Sequence, residues 1–292
     1  MLSFLFEQYG YYPVEFKEGT FYVNDWEFRL LEIEFDEQYM YKIDQYCQII
    51  RDQFGSKGPF IIKTRTGEKT SNHDGKTYSL ISAKRGFFNL NELNKFHVFF
   101  REEDRAVDLN KILSSWESRS SELENYGISS LRIDGNFYEE NLEATMFAFG
   151  MSQNAQQYLS DAIKDYGDEI KDVTIAHKRI KDLNNFDFFN PFNFIVDHPI
   201  RDIVELYRTG TLSFDYMLDL LEYYQMDPKK ASLFIARLMY PIQVFDLLEE
   251  NMEKKEKNLK FNFVIEKEIL KIKKVYEYFK EKYHIRPIVW LE

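Results

Sequence analysis

A single cysteine, Cys47, in 292 residues excludes an internal disulfide framework. It sits inside the helical pattern "YKIDQYCQIIRDQF", where a small buried side chain is the ordinary role of an unpaired cysteine. Long apolar runs are also scarce: charge interrupts them before the roughly 20 residues that a bilayer crossing needs, so no membrane association is expected. The opening "MLSFLFEQYGYY" has neither a basic start nor a small-residue cleavage site. No secretory leader is therefore expected, and the chain is placed inside a cell. Basic charge is in deficit, with 38 Lys and Arg against 49 Asp and Glu and a net charge of −11. That balance argues against nucleic acid as a partner, because phosphates need a concentrated basic face. The lysine-rich stretch "EKKEKNLKFNFVIEKEILKIKK" alternates with glutamate and reads as a solvated helix face.

Aromatic side chains, by contrast, are abundant: 27 Phe, 20 Tyr and 3 Trp. They supply large buried areas and suit surfaces that hold other proteins, although AT-rich codon usage would enrich them as well. The first 85 residues read as strand-rich with one helix. "TFYVNDWEFRLLEIEF" is a hairpin around Asn24-Asp25, and "GPFIIKTRTGEKTSNHDGKTYSLISAKR" is two strands around Asp74-Gly75. Between them, residues 36 to 54 have helical spacing and open on Asp36 as an acidic cap. Beyond "AKRGF" helical patterns dominate, over 90–102, 109–126, 139–166, 199–209, 213–224, 228–250 and 262–283. Only "DVTIAH" and "FNFIVD" interrupt them as strands, and Pro241 is expected to kink the helix over 228–250. This order is that of an α+β, protein-kinase-like bilobal fold, with a β-rich N-lobe over 1–85 and a helical C-lobe over 86–292.

Such a fold performs phosphoryl transfer only with particular parts. A glycine loop should lie between the first two strands, but "YVNDWEF" has no glycine. The second strand offers Leu31 or Glu32 at the phosphate-binding lysine position, with Arg29 two residues early and Lys63 on the next strand as a distant substitute. A carboxylate there would repel phosphates. In the catalytic loop "AHKRIKDL", His177 stands where small-molecule kinases carry the histidine of an HGD-type motif, and Arg179 replaces the aspartate. An arginine accepts no proton at neutral pH, which leaves Asp182 as a substitute only in a rebuilt loop. His177 otherwise reads as a structural histidine bonded to backbone. Further on, Asn193 and Asp197 are the weak candidates for a metal ligand. Asp202, in a pattern like D-P-x-x-D-L, is expected to cap a helix and satisfy backbone amides. Arg201 shares that turn, and Lys84 with Arg85 form the one evident basic pair at the linker.

"LNELNKFH" ending at residue 97, "WESRSSELENY" at 116–126, "MSQNAQQYLSDAI" at 151–163 and "TIAHKRI" at 174–180 occur in this order. "VDHPIRDIVELYR" at 196–208, "ARLMYPIQVFDLLEE" at 236–250 and the final "IRPIVWLE" complete the series. Together they resemble the YutH-type spore coat proteins, relatives of the CotS group in the aminoglycoside phosphotransferase and choline kinase-like superfamily. The resemblance implies a kinase-like fold in a protein of endospore formation, made in the mother-cell cytoplasm, deposited in the spore coat and partnered by other coat proteins. It implies lost catalytic groups, with the H-x-R of His177 and Arg179 part of the family pattern, so no cofactor is expected. Where the family tends to keep an aspartate, this chain has Asn193. The alternatives are an active phosphotransferase that uses ATP and Mg on a small hydroxyl or amine, and a nucleotide- or metabolite-sensing module without chemistry.

Overall fold

The sheet begins where the turn chemistry places it. The computed structural model describes residues 1–34, 37–102, 104–254 and 259–292. After a first helix, α1 (Leu2–Tyr9), come β1 (Thr20–Val23) and β2 (Trp26–Ile33), an antiparallel hairpin in which Asn24 takes the left-handed conformation that asparagine tolerates. Helix α2 (Glu37–Phe54) follows, then β3 (Phe60–Ile62), β4 (Ser71–His73) and β5 (Lys76–Lys84). Asp74 and Gly75 both have positive φ, which is what a two-residue hairpin between β4 and β5 needs. The strand order is β1-β2-β5-β3, with β4 also paired to β5.

Alternation along β5 covers both faces of this sheet. Leu80 packs with Phe4, Leu5, Phe21 and Phe28 on the α1 side. Its neighbours Ile81 and Ala83 pack with Ile43 and Cys47 of α2 on the other, together with Phe186. Phe21 and Phe28 are cross-strand partners with rings stacked at 4.8 Å. Helix α1 corrects the expectation of one helix in this region. Its eight residues are too few to display a helical period, yet Phe4, Leu5 and Tyr9 are buried and Gly10 ends it at φ 81. The region between residues 58 and 85 likewise holds three strands rather than two, because β3 and β4 are separate short partners of β5. The acidic cap expected at Asp36 lies outside the described residues.

Helix α3 (Leu90–Phe99) leads to the short strands β6 (Arg101–Glu102) and β7 (Val107–Asp108), then α4 (Leu109–Ser130) and α5 (Tyr138–Tyr166). Strands β8 (Glu169–Ile170) and β9 (Val173–His177) precede a five-residue helix α6 (Asn185–Phe189) and β10 (Phe194–Asp197). The chain ends in α7 (Ile200–Arg208), α8 (Phe214–Tyr223), α9 (Pro228–Met239), α10 (Ile242–Lys254) and α11 (Ile265–Tyr283). The architecture is thus α+β, a small antiparallel sheet in the N-terminal part and a mostly helical remainder. The two-residue strands β6, β7 and β8 were not anticipated: runs so short carry no alternation to read. Much of the lysine-rich stretch expected as a helix face lies on α11, and its residues 255–258 fall outside the described residues.

Two compact units result, Met1–Phe96 with His177–Ile195, and His97–Ala176 with Val196–Glu292. Neither is contiguous in sequence, whereas the lobes expected from the sequence were the runs 1–85 and 86–292. The segment 177–195 joins the sheet-containing unit because Phe186 enters its core and Arg29 of β2 bonds Asp187 at 2.5 Å. In the other unit, α5 presents Ala144, Ala148, Ala155 and Ala162 as a buried small-residue stripe against α4 and α9. Arg119 of α4 bonds Glu249 and Asp246 of α10, each at 2.7 Å.

Pro241 does more than kink. Tyr240 adopts φ −68 and ψ 119, extended backbone forced on the residue before a proline, and the single helix expected over 228–250 becomes α9 and α10. The stretch Pro228–Glu253 is long and apolar enough to cross a membrane by length and composition, contrary to the expectation that charge breaks every such run. It is 78% buried inside the protein over its most apolar window, as a core helix is.

Candidate functional site

The loop after β9 is built around its histidine. His177 is fully buried, and its Nε2–H donates to the Phe188 carbonyl at 2.7 Å. Phe96 and Phe188 stack on the ring at 5.4 and 4.9 Å, with Phe194 edge-on at 5.5 Å. This is the structural histidine that the backbone-bonded reading described. Asn193 then fastens the next two residues: its Oδ1 accepts from the Arg179 N–H at 3.1 Å and its Nδ2 donates to the Arg179 carbonyl. Its own carbonyl accepts from the Lys178 N–H at 2.7 Å. The amide group of Asn193 is therefore spent on backbone, which leaves it a poor metal ligand.

Arg179 is half-buried, and its Nη1 donates to the Lys178 carbonyl at 2.7 Å. With Lys181, Asp182, Asp187 and Asn193 it lines an open cavity of about 540 Å³ that also touches Leu31 and Glu32 of β2. The arginine thus occupies the wall where an acceptor-activating carboxylate was sought. Asp182 is exposed and its Oδ1 accepts from the Asn184 N–H at 2.8 Å, closing a local turn. Glu32 pairs with exposed Lys76 at 2.8 Å. Arg29 bonds Glu27 and Asp187 at 2.6 and 2.5 Å and lies over the Phe186 ring at 4.1 Å. Lys63 is exposed, just past the end of β3.

Asp197, the last residue of β10, is 3% exposed. Its Oδ1 accepts from the His198 N–H at 2.7 Å and from Arg237 Nη2 at 2.9 Å; its Oδ2 accepts from Arg237 Nη2 at 2.7 Å and Arg201 Nη1 at 2.9 Å. Burial alone would raise this carboxyl, but Arg237, Arg201 and the His198 N–H hold it below the usual carboxylate range. Two guanidiniums already supply the charge that a magnesium ion would bring. The residues do not fit a metal: both oxygens of Asp197 and both amide atoms of Asn193 are engaged. Among the described residues no group of three or more His, Cys, Asp or Glu side chains is placed to hold one.

Asp202 does not open a helix as expected. Helix α7 starts at Ile200, with Pro199 as its cap, and Asp202 is fully buried in the first turn. Its Oδ2 accepts from His97 Nε2–H at 2.9 Å, and His97 Nδ1 faces the Tyr224 hydroxyl at 2.8 Å. Neither His97, Tyr224 nor Arg237 was singled out in the sequence. Arg237 lies 40 positions from Asp197 and His97 lies 105 from Asp202, and no local spacing announces such pairs.

Among proteins of known sequence, this chain is 29% identical over 238 residues to the endospore coat-associated protein YutH of Bacillus subtilis strain 168, over 72% of this chain and 68% of that one. Among solved structures it is similar to an aminoglycoside phosphotransferase from Alicyclobacillus acidocaldarius, with a TM-score of 0.48 and 12% identity over 91% of this chain and 90% of the other. It is also similar to the amicoumacin kinase hAmiN, solved with AMP-PNP, Ca2+ and Ami, with a TM-score of 0.43 and 10% identity over 96% and 92%. The description "Spore coat putative kinase YutH" matches residues 3–283. The chain belongs to that family.

Proposed function

We propose that this protein is a noncatalytic, kinase-like component of endospore formation, made in the mother cell and laid down in the spore coat against other coat proteins. Membership of the YutH family supports the process, and the name of the Bacillus subtilis relative supports the place. The observation that carries the loss of catalysis is Asp197, whose carboxylate is saturated by Arg237 and Arg201. Arg179 adds to it: a guanidinium stands where an acceptor hydroxyl would need a base. Phosphoryl transfer depends almost wholly on electrostatic positioning of metal and phosphates, so an aspartate spent on two arginines, and a loop arginine in place of the base, each forfeit orders of magnitude in rate.

The test is incubation of purified protein with ATP, magnesium and a panel of amines and alcohols, followed by detection of ADP and phosphorylated product. No turnover above buffer is expected. Chelator-sensitive product formation that disappears in Asp197→Ala would establish the active phosphotransferase instead.

A further inference from the structure

A second cavity, of about 390 Å³, lies wholly within the unit that contains α7 and α8. His198 lines it at 1% exposure, and the Ile200 N–H donates to His198 Nδ1 at 3.2 Å. A neutral ring bonded this way carries its proton on Nε2, and that N–H has no protein partner among the described residues. That N–H is not among the buried side-chain atoms left without a partner, so it opens on the space of the cavity, where an acceptor can reach it. Burial, with Lys230 second, keeps the ring neutral by pushing its pKa down to about 3.

The rest of the wall defines what the acceptor belongs to. Arg101, which lines the cavity, and Lys230, which stands behind it on the Tyr224 and Gln225 carbonyls, reach the one carboxylate of Asp172 at 2.6 and 3.4 Å, so these three groups together carry a single net positive charge. Tyr223 and Tyr224 stand at 86° with ring centroids 5.3 Å apart, an angled pair that offers a planar ring both a face and an edge. Asp172 and Gln225, also on the rim, hold left-handed backbone at φ 61 and 47, a strain that tends to gather at binding sites.

We propose that this cavity binds a small aromatic carboxylate, its carboxylate accepting from His198 Nε2–H and Arg101 and its ring lying against Tyr223 and Tyr224. One net positive charge matches a monoanion better than the dianion of a phosphate monoester. The site is separate from the loop cavity beside Arg179, so it stands whether or not the protein transfers phosphate.

Benzoate is the probe, titrated calorimetrically into the full chain, with phenyl phosphate and inorganic phosphate as parallel arms. Benzoate should bind saturably, with Kd on the order of 1 mM or tighter for so few atoms. His198→Asn keeps an acceptor for the Ile200 N–H but removes the Nε2 donor, and should weaken benzoate at least tenfold. Arg101→Gln, at a side chain 54% exposed, should do the same without disturbing the core, and carries the readout if the first variant fails to fold. Lys63→Gln should leave binding unchanged. Absence of saturable benzoate binding, equal binding by Arg101→Gln, or tighter binding of either phosphate probe would overturn the proposal.

Discussion

Mild acid should weaken this protein through His198. The imidazole is 1% exposed and its pKa falls from 6.5 to about 3, by burial first and then by Lys230, against the opposing pull of Asp197 and Asp172. Between those values the unfolded chain holds a proton on this side chain and the folded chain does not, so stability is complete above about pH 6.5 and declines as pH falls. The integrated loss between pH 7 and pH 5 is about 2 kcal/mol, at about 1.4 kcal/mol per pH unit once below the ordinary histidine value. With an m-value near 3 kcal/mol/M, that is a fall of about 0.7 M in the urea midpoint. The assay compares urea unfolding of the wild type and His198→Asn at both pH values. The other four histidines are present in both proteins, so the difference between the two pH dependences isolates His198. Equal losses in the two proteins would refute the reasoning, because they would mean that the buried ring picks up its proton without unfolding.

Arg237→Met should cost about 3–5 kcal/mol in chemical denaturation, since it leaves a buried carboxylate with only Arg201 as a cationic partner, and adding Asp197→Asn should recover part of that loss; a loss under about 1 kcal/mol would show the pair to be energetically idle. Cys47, with no exposed surface and a thiol pushed up to about 12 by burial, should react with a thiol reagent on the order of 100-fold more slowly in the native protein than in urea. Comparable rates would place it in a mobile or open region.

What could be read in advance divides by distance along the chain. Asn24-Asp25 and Asp74-Gly75 fix their hairpins through their own backbone preferences, so neighbouring residues sufficed. Most helices of the C-terminal part were legible in the same way, from periods several turns long. Helix α1 was not, because eight residues show hardly two turns, and its burial depends on Phe21, Phe28 and Leu80, far away in sequence. Pro241 was seen, but its effect was underrated: the decisive residue is Tyr240, which the proline forces out of the helical region. At the site, the identity of Arg179 could be read directly, and His177 could be read as a backbone-bonded histidine, although not that its acceptor is the Phe188 carbonyl eleven residues on. The partners of Asp197 and Asp202 could not, since Arg237 and His97 meet them only after the chain has folded.

Asp197 also shows how a chain can keep an aspartate at the end of a strand while spending both of its oxygens on protein partners. An aspartate that binds a metal must be held as an anion with oxygens open, a state that is expensive in a buried place unless the cation arrives. Here Arg237, from α9, and Arg201, the second residue of α7, provide permanent positive charge, so the anion is stable in the protein alone. The same carboxylate then joins the end of β10 to two helices and becomes part of the framework. Once such an arrangement exists, loss of the aspartate is punished by loss of stability, whether or not any phosphate is ever transferred. The presence of a motif aspartate therefore says little about activity; the number of its oxygens still open to a metal says a great deal, and for Asp197 that number is none.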